Sequence, residues 1–369
     1  MPHTITDIIL EWSRSYVTPD IMDIDIDNAT IEEMDQVFEK GEKHYPSEYK
    51  RIESQIDYLN SKLYKDYEVT VYPPHLEFEY RLRNWLKNTR NIDSQKILFK
   101  LVPRLFFIGE REYLSLHQTV FNGPIARWLI DQESIDITLT TAQERIQSSL
   151  SGTWICGLTD SMLISQFYHV NEIEGSDLRP DLRAFKKLSE NNGNDDIMKS
   201  IIVDFLRNQV PQFKRIVLLE DFVGTGTQVV STVKWALTLN EIDPIPVLFC
   251  PLVICRSGVE KFQKLLAEYS NFSFEPSLIL DDSVLLTKFP KSNEDEFFTQ
   301  LRDVVHQTYD LVKGNNSGKL YGPFGFGSKE EGGGLLLVLY SNCPNNTIPL
   351  IHNESDTPWN PLFPRSSRV

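Results

Sequence analysis

RIVLLEDFVGTGTQ, residues Arg215–Gln228, combines an apolar run, two adjacent acids and a turn of small residues, and the helical pattern Thr227–Leu239 follows it. A short apolar run bounded by turn residues is typical of a strand that is buried on both faces of a parallel sheet. The stretch therefore predicts a strand, a tight turn and a helix, which is the repeating unit of an α/β fold.

The turn Gly224-Thr225-Gly226-Thr227 has the composition of an anion-binding loop. Glycines allow a tight loop whose backbone N–H groups point inward. The helix that follows adds unpaired N–H groups and the positive end of its dipole, and the two threonines add hydroxyl donors. We therefore predict that Gly224, Thr225, Gly226 and Thr227 bind a phosphate.

The adjacent acids Glu220 and Asp221 precede this turn and are unsuited to contact an anion. Carboxylates suit the hydroxyls of a sugar that carries the phosphate, either directly or through a hydrated Mg²⁺. Strand, acid pair, turn and helix together describe a ribose 5-phosphate site. An ordinary strand–turn–helix junction is the alternative, because turns of glycine and threonine are common.

The stretch resembles the phosphoribosyl pyrophosphate (PRPP) loop of type I phosphoribosyltransferases, in which an apolar strand, two acids and two apolar residues precede a turn rich in threonine and glycine. The resemblance implies that Glu220 and Asp221 are the catalytic pair that holds the ribose hydroxyls and Mg²⁺, and that the turn wraps the 5′-phosphate. Gly224 departs from the pattern, since many members have Asp, Ser or Thr there. The general base that purine-specific members carry at this position is therefore missing.

Three further stretches are similar to phosphoribosyltransferase-like proteins encoded in bacterial conflict and antiphage loci: CGLTDS (Cys156–Ser161), PNNTIPL and WNPLFPR. This resemblance implies antiviral defence and a protein partner from the same locus, and the type I family implies a homodimer. In that family a turn such as Gly157–Ser161 binds the pyrophosphate of the donor. Gly157, Thr159, Asp160 and Ser161 would do so here, with a plain strand exit as the alternative.

The rest of the chain predicts an α/β fold with a doubly wound, mainly parallel sheet, because strands and helices alternate around the organising strand. Further strands are predicted at Thr153–Gly157, Pro246–Ile254 and Ser277–Leu280. Ligands of such sheets bind at the carboxyl ends of the strands, where the acid pair and the turn lie. We place a helical N-terminal cap at 1–140, the core at 141–290 and a C-terminal extension that packs on the core at 291–369.

Local signals predict several other features. Capping boxes at Thr30–Glu33 and Thr141–Glu144 predict helix starts, and Ser292 is predicted to cap a helix that continues to Val312. Glu190–Asp196 (ENNGNDD) is predicted to be a loop. Leu335–Tyr340 is predicted to be the last strand, and glycine-rich stretches at 314–320, 322–327 and 332–334 are interpreted as turns, since none matches a nucleotide-binding fingerprint.

Four basic residues lie close together in the segment between the first two core strands: Arg179, Arg183, Lys186 and Lys187. The family has a mobile loop in this region that closes over PRPP, and basic groups there would neutralise the charge of the departing pyrophosphate. A solvated helix face is the alternative, and we favour it.

The composition disfavours several classes of function. A net charge of −15 argues against a nucleic-acid-binding face, which would be basic, and against attraction to anionic membranes. No apolar run reaches the ~20 residues of a membrane-spanning helix, and the start of the chain lacks the features of a signal peptide. Four cysteines without metal-binding spacing predict free thiols in a cytoplasmic protein.

Three functions stay open. As a glycosyltransferase, the protein would transfer the 5-phosphoribosyl group between PRPP and a nucleobase or another acceptor, with Mg²⁺ as cofactor. As a sensor, it would bind PRPP or a nucleotide monophosphate without chemistry and control a partner. As an effector, it would deplete or modify nucleotides while a partner regulates it through protein–protein contacts.

Overall fold

The computed structural model describes residues 46–68, 77–175, 179–314, 322–325, 333–353 and 359–365. The predicted capping box at Thr30–Glu33 lies outside the described residues, as do most of the glycine-rich stretch 314–320 and parts of the stretches 322–327 and 332–334. Within the described ranges, no helix has the length and apolar character that a membrane span requires.

In the described ranges, runs of one to three α-helices separate most of the strands. The α-helices are α1 (Pro46–Lys62), α2 (Phe78–Lys87), α3 (Ile92–Leu101), α4 (Glu110–Val120), α5 (Ala126–Gln132), α6 (Ala142–Ser151), α7 (Ile164–Val170), α8 (Leu182–Asn192), α9 (Asp195–Asn208), α10 (Thr227–Leu237), α11 (Arg256–Glu268), α12 (Glu296–Lys313) and α13 (Pro349–His352). The strands are β1 (Phe106–Ile108), β2 (Thr153–Gly157), β3 (Arg215–Val223), β4 (Val247–Cys255), β5 (Phe272–Phe274), β6 (Leu278–Leu280), β7 (Leu285–Thr287), β8 (Gly333–Leu335) and β9 (Leu337–Leu339).

The chain forms two compact units. The first combines Met1–Glu110 with Val284–Val369, and the second is Arg111–Ser283. The boundaries of these two units differ from those of the three consecutive segments predicted at 1–140, 141–290 and 291–369. The predicted boundaries stay a prediction.

The second unit is built on a parallel sheet with the strand order β2-β3-β4-β5. Strand β6 pairs with the C-terminal end of β4. The α/β fold and its mainly parallel sheet are therefore confirmed, with strands where the sequence predicts them. Gly157, the last residue of β2, pairs with Leu219. The following residues of β3 thus extend past the end of β2, and this overhang carries the acid pair.

Both faces of the sheet are buried, which explains why β3 is apolar without alternation. Ile216 and Leu218 belong to an apolar cluster that also contains residues of α8, α9, α10 and α11. Val217 and Leu219, which point to the opposite face, are equally inaccessible to solvent. Each buried side chain of this size contributes roughly 1.5–3 kcal/mol, so the strand that carries the acids is firmly fixed.

The first unit incorporates the stretch 359–365 into its core. Phe363 packs against the rings of Tyr64, Tyr67, Phe78 and Phe107. The guanidinium Nε of Arg81 donates to the carbonyl of Leu362 at 2.9 Å. In the same unit β9 pairs with β1 in parallel, and β8 pairs with β7 in antiparallel orientation.

The predicted loop Glu190–Asp196 is wrong, because these residues form a tight junction between α8 and α9. Gly193 ends α8 with a left-handed φ of 62°. The Asn194 side chain caps α9 by accepting a hydrogen bond from the N–H of Ile197. The Asp195 carboxylate accepts from Ser189 Oγ at 2.7 Å and from Trp235 Nε1 at 2.5 Å. The polar residues therefore serve as helix caps and not as a loop.

Other local predictions also need correction. Helix α6 begins at Ala142 as predicted, but Thr141 makes no side-chain capping bond, and α12 is capped by Asp295 and not by Ser292. The predicted strand Leu335–Tyr340 is two short strands, β8 and β9. Gly334 lies in β8 and not in a turn. Glycine is required there because a Cβ would stand 2.3 Å from the carbonyl oxygen of Phe324.

Candidate functional site

The two acids lie in the overhang of β3 and are almost inaccessible to solvent. Glu220 is 3% exposed and Asp221 is 5% exposed. The strand continues through them to Val223, so the backbone of the pair is held by sheet hydrogen bonds. An adjacent pair of buried carboxyl groups is costly unless neighbouring groups satisfy them.

The turn after β2 supplies those neighbours. Thr159 Oγ1 hydrogen-bonds to Glu220 Oε1 at 2.8 Å, and Ser161 Oγ hydrogen-bonds to Asp221 Oδ1 at 2.9 Å. The two hydroxyl oxygens lie 2.7 Å from each other. Glu220 Oε2 is buried without a hydrogen-bond partner among the residues that the structure describes. The structure thus brings the acid pair and the predicted pyrophosphate turn together through side chains.

Burial raises the pKa of Glu220 well above its ordinary value, and the charge of the adjacent Asp221 raises it further. The Thr159 hydroxyl donates to Glu220 Oε1. This hydrogen bond favours the charged carboxylate, so it lowers the pKa of Glu220 and offsets part of the effect of burial.

The raised pKa of Glu220 predicts a pH-dependent stability. Because its pKa is higher in the folded protein than in the unfolded chain, its contribution is favourable at low pH and is lost as the pH rises through the folded pKa. We expect Glu220→Gln, which keeps the shape without the charge, to melt at a higher temperature than wild type at alkaline pH, with a smaller difference near pH 5. Thermal denaturation across pH 5–9 measures this effect. The control is Glu112→Gln at an exposed position of α4, and a Glu220→Gln profile parallel to that of wild type would contradict the prediction.

The turn that carries Thr159 and Ser161 folds tightly against the sheet. Leu163, which ends it, has a left-handed φ of 49°, and a Cβ on Gly157 would lie 3.2 Å from Met162 Cβ. On its outer side, Asp160 Oδ1 lies 3.6 Å from Arg183 Nη1 of α8. The turn is thus joined to α8 by an exposed ion pair, a weak type of contact.

Of the four basic residues considered in the sequence, the structure brings Arg183 to this turn. Arg179 instead donates to backbone carbonyls, including that of Thr153 at 3.1 Å. Lys186 pairs with Glu190 on the same helix, and Lys187 is exposed. Arg183, Lys186 and Lys187 therefore lie on a helix, as the favoured interpretation has it, but of these three only Lys187 is fully solvated. Arg179 precedes that helix.

The glycine turn opens α10 in a conformation that suits an anion. Gly226 is the N-cap residue, with a left-handed φ of 75° and no side-chain capping bond. Thr225 Oγ1 and Thr227 Oγ1 lie 3.1 Å apart. A Cβ on Gly226 would lie 3.0 Å from Phe262 Cε2 of α11, so both its φ and its neighbour require glycine.

Lys261 is a residue that the sequence analysis missed. Its Nζ donates to Thr227 Oγ1 at 2.9 Å, which places an ammonium group at the glycine turn. The first turn of α11 approaches closely because Gly258 has no side chain, and a Cβ there would stand 2.6 Å from the carbonyl oxygen of Gly224. No local pattern in the sequence marks Lys261, because the contact depends on the packing of α11 against the turn.

A comparison with protein families decides what kind of domain carries this arrangement. A family model described as PRTase-CE matches residues 82–365, which is most of the chain. The chain belongs to the PRTase-CE family. Its phosphoribosyltransferase-like domain is therefore confirmed, and the matched range of this PRTase-CE member includes the acid pair, both turns and Lys261. No curated protein and no solved structure matches the chain.

In this PRTase-CE member, the predicted site residues all belong to the second compact unit. The metal-binding prediction for Glu220 and Asp221 stays a prediction. Across the described ranges, no group of three or more His, Cys, Asp or Glu residues is arranged to hold a metal ion alone. Enzymes that act on phosphates commonly bind Mg²⁺ through only one or two carboxylates, together with oxygens of the substrate.

Proposed function

We propose that the protein binds PRPP at the overhang of β3 and transfers the 5-phosphoribosyl group between PRPP and an acceptor. The observation that carries this proposal is the buried carboxyl pair Glu220–Asp221, which the glycine turn at the start of α10 follows two residues later in a phosphoribosyltransferase-like domain. Carboxyl groups next to an anion-binding turn suit a ligand that has hydroxyls at one end and a phosphate at the other.

The glycine turn receives the 5′-phosphate in this proposal. The N–H groups of the first turn of α10, which have no partner within the helix, and the hydroxyls of Thr225 and Thr227 donate to its oxygens. Lys261 adds a full positive charge beside Thr227. Gly226 and Gly258 keep the turn and α11 close enough for all of these groups to act on one phosphate.

The acid pair orients the ribose. In the transfer step the bond from C1′ to the pyrophosphate oxygen breaks and a bond from C1′ to the acceptor forms, while the ribose gains cationic character. Negative charge on Asp221 stabilises that character, and hydrogen bonds to the ribose hydroxyls hold C1′ in line between acceptor and leaving group. Glu220, the other member of the pair, contributes a hydrogen bond to the ribose.

Mg²⁺ fits the chemistry of these donors, which are hard oxygen ligands, and Glu220 Oε2 is a buried oxygen without a partner among the described residues. We propose that Glu220 and Asp221 would hold the ion through ribose hydroxyls or water, with the pyrophosphate supplying the other oxygens. When bound, Mg²⁺ neutralises charge on the departing pyrophosphate.

A non-catalytic sensor is the second candidate, and Gly224 favours it. This residue has no side chain that could accept a proton from an acceptor base, and Gly258 packs against its carbonyl. A sensor would bind PRPP or a nucleotide monophosphate at the same residues, and the bound ligand would change its interaction with a protein partner. The antiphage context, the partner and a homodimer belong to this proposal and rest on the sequence resemblance.

The test is titration calorimetry with PRPP, with and without Mg²⁺, beside ribose 5-phosphate and purine and pyrimidine monophosphates. We expect Mg²⁺-dependent binding of PRPP. Incubation with PRPP and a mixture of nucleobases then separates the two candidates, because an enzyme consumes PRPP and a sensor leaves the mixture unchanged. Absence of binding to every one of these ligands would overturn both.

The ammonium of Lys261 should contribute measurably to affinity. A charge-assisted hydrogen bond to phosphate is worth about 1.5–3 kcal/mol, so we expect Lys261→Met to weaken PRPP binding by roughly tenfold or more. The matched control is Lys264→Met, at an exposed position of the same helix. If both variants bind PRPP equally well, Lys261 is not a phosphate ligand.

A further inference from the structure

The turn after β2 presents to the acid pair the same groups that a ribose would present. Thr159 and Ser161 offer two hydroxyl oxygens 2.7 Å apart, the arrangement of two hydroxyls on neighbouring carbons. One of them bonds to Glu220 at 2.8 Å and the other to Asp221 at 2.9 Å. A ribose diol bound across the pair would make the same two contacts.

The turn and a ribose therefore compete for the same carboxyl oxygens. Glu220 and Asp221 are 3% and 5% exposed with the turn in place, which leaves no open surface at which a sugar could contact both acids. A ligand that binds to both acids therefore has to displace the hydroxyls of Thr159 and Ser161. A carboxyl oxygen that already has a close hydroxyl neighbour gains little from a second ligand unless the first one leaves.

The attachments of the turn indicate how it could be displaced. Its hydroxyls provide the side-chain bonds to the acids, and the Asp160–Arg183 ion pair on its outer side spans 3.6 Å between exposed groups. Leu163 at its end holds a left-handed φ, a conformation that disfavours residues other than glycine. Movement of Thr159–Ser161 would break the ion pair between Asp160 and Arg183, a weak contact because both groups are exposed.

We propose that Thr159 and Ser161 form a ribose gate, in which the two hydroxyls occupy the diol positions of the acid pair until a ligand with two suitably placed hydroxyls replaces them. This inference rests on the proposed function. The gate has two consequences for binding. First, the apparent affinity for a ribose ligand is lowered, because only molecules in which the turn has moved away can bind it. Second, a 2-deoxyribose ligand replaces only one of the two hydroxyls, so one carboxyl group is left without a hydrogen bond.

The test uses the full chain with Thr159→Val and Ser161→Ala combined, and measures the Kd of ribose 5-phosphate and of 2-deoxyribose 5-phosphate by calorimetry. We expect the double variant to bind ribose 5-phosphate roughly tenfold more tightly than wild type. Thr159→Ser, which keeps the hydroxyl, should bind like wild type. Arg183→Gln, which loosens the turn without touching the hydroxyls, should also bind more tightly.

Any other outcome contradicts the proposed gate. Equal or weaker binding by the double variant, with wild type binding well, would show that the hydroxyls are ligands or supports of the site, and the proposed function would survive. Equal wild-type affinity for the ribose and deoxyribose ligands would also exclude the gate. If folded wild type and double variant both fail to bind PRPP and ribose 5-phosphate, the proposed function fails and the gate fails with it.

Discussion

Asp221→Asn is expected to reduce the affinity for PRPP about 100-fold, which corresponds to about 2.7 kcal/mol. The carboxylate of Asp221 accepts from Ser161 Oγ and from the backbone N–H of Phe222 at 2.7 Å. An asparagine oxygen accepts the same two bonds, so the strand keeps its structure. What is lost is the negative charge that orients the ribose and stabilises its cationic character. Titration calorimetry with PRPP and Mg²⁺ measures the loss.

Asp281→Asn is the matched control for this substitution. Asp281 also directly follows a strand, β6, and its Oδ1 accepts from the N–H of Ser283 at 2.7 Å. It lies outside the proposed site, so its variant should bind PRPP like wild type. If Asp221→Asn keeps wild-type affinity while its melting temperature is unchanged, the acid pair does not hold the ribose.

Gly258→Ala is also expected to have a large effect on PRPP affinity, although Gly258 lies outside the residues proposed to contact PRPP. The added Cβ would stand 2.6 Å from the carbonyl oxygen of Gly224 and 2.9 Å from Ile254 Cγ1. Backbone atoms have to shift to relieve such contacts, which costs roughly 1–3 kcal/mol of stability. The glycine turn and Lys261 then separate, and we expect PRPP affinity to decrease at least about tenfold.

Gly123→Ala controls for the general effect of replacing glycine in a helical segment. A Cβ at Gly123 meets no atom within 4 Å, so the change should be neutral or slightly stabilising. Binding is measured below the melting transition of each variant, so that lost affinity is not confused with unfolding. Wild-type affinity and stability in Gly258→Ala would mean that the glycine turn moves freely away from α11.

Local patterns predicted the part of the structure that local forces determine. The apolar run before Glu220 and the small residues after it predicted β3 and α10, and the next apolar run predicted β4. Such signals need only the nearest residues along the chain. The prediction failed at Glu190–Asp196 because polar residues that cap helices look the same in sequence as polar residues of a loop.

The contacts of the candidate site could not be predicted in this way. Thr159 meets Glu220 because β2 ends opposite Leu219, and sheet register is a property of two strands and not of either sequence alone. Lys261 meets Thr227 because Gly258 allows α11 to approach the turn. Each contact joins residues more than thirty positions apart, and only the tertiary packing brings them together.

The division of the chain has a consequence for its synthesis. The second unit is one continuous segment, Arg111–Ser283, whereas the first unit joins Met1–Glu110 to Val284–Val369. A nascent chain emerges from its N-terminus, so β1 and the helices before it are made long before β9 and Phe363, with which they pair and pack. Domains fold as their residues become available during translation. All residues of the candidate site are therefore synthesised before Phe363, the ring that packs against Tyr64, Phe78 and Phe107 in the folded first unit.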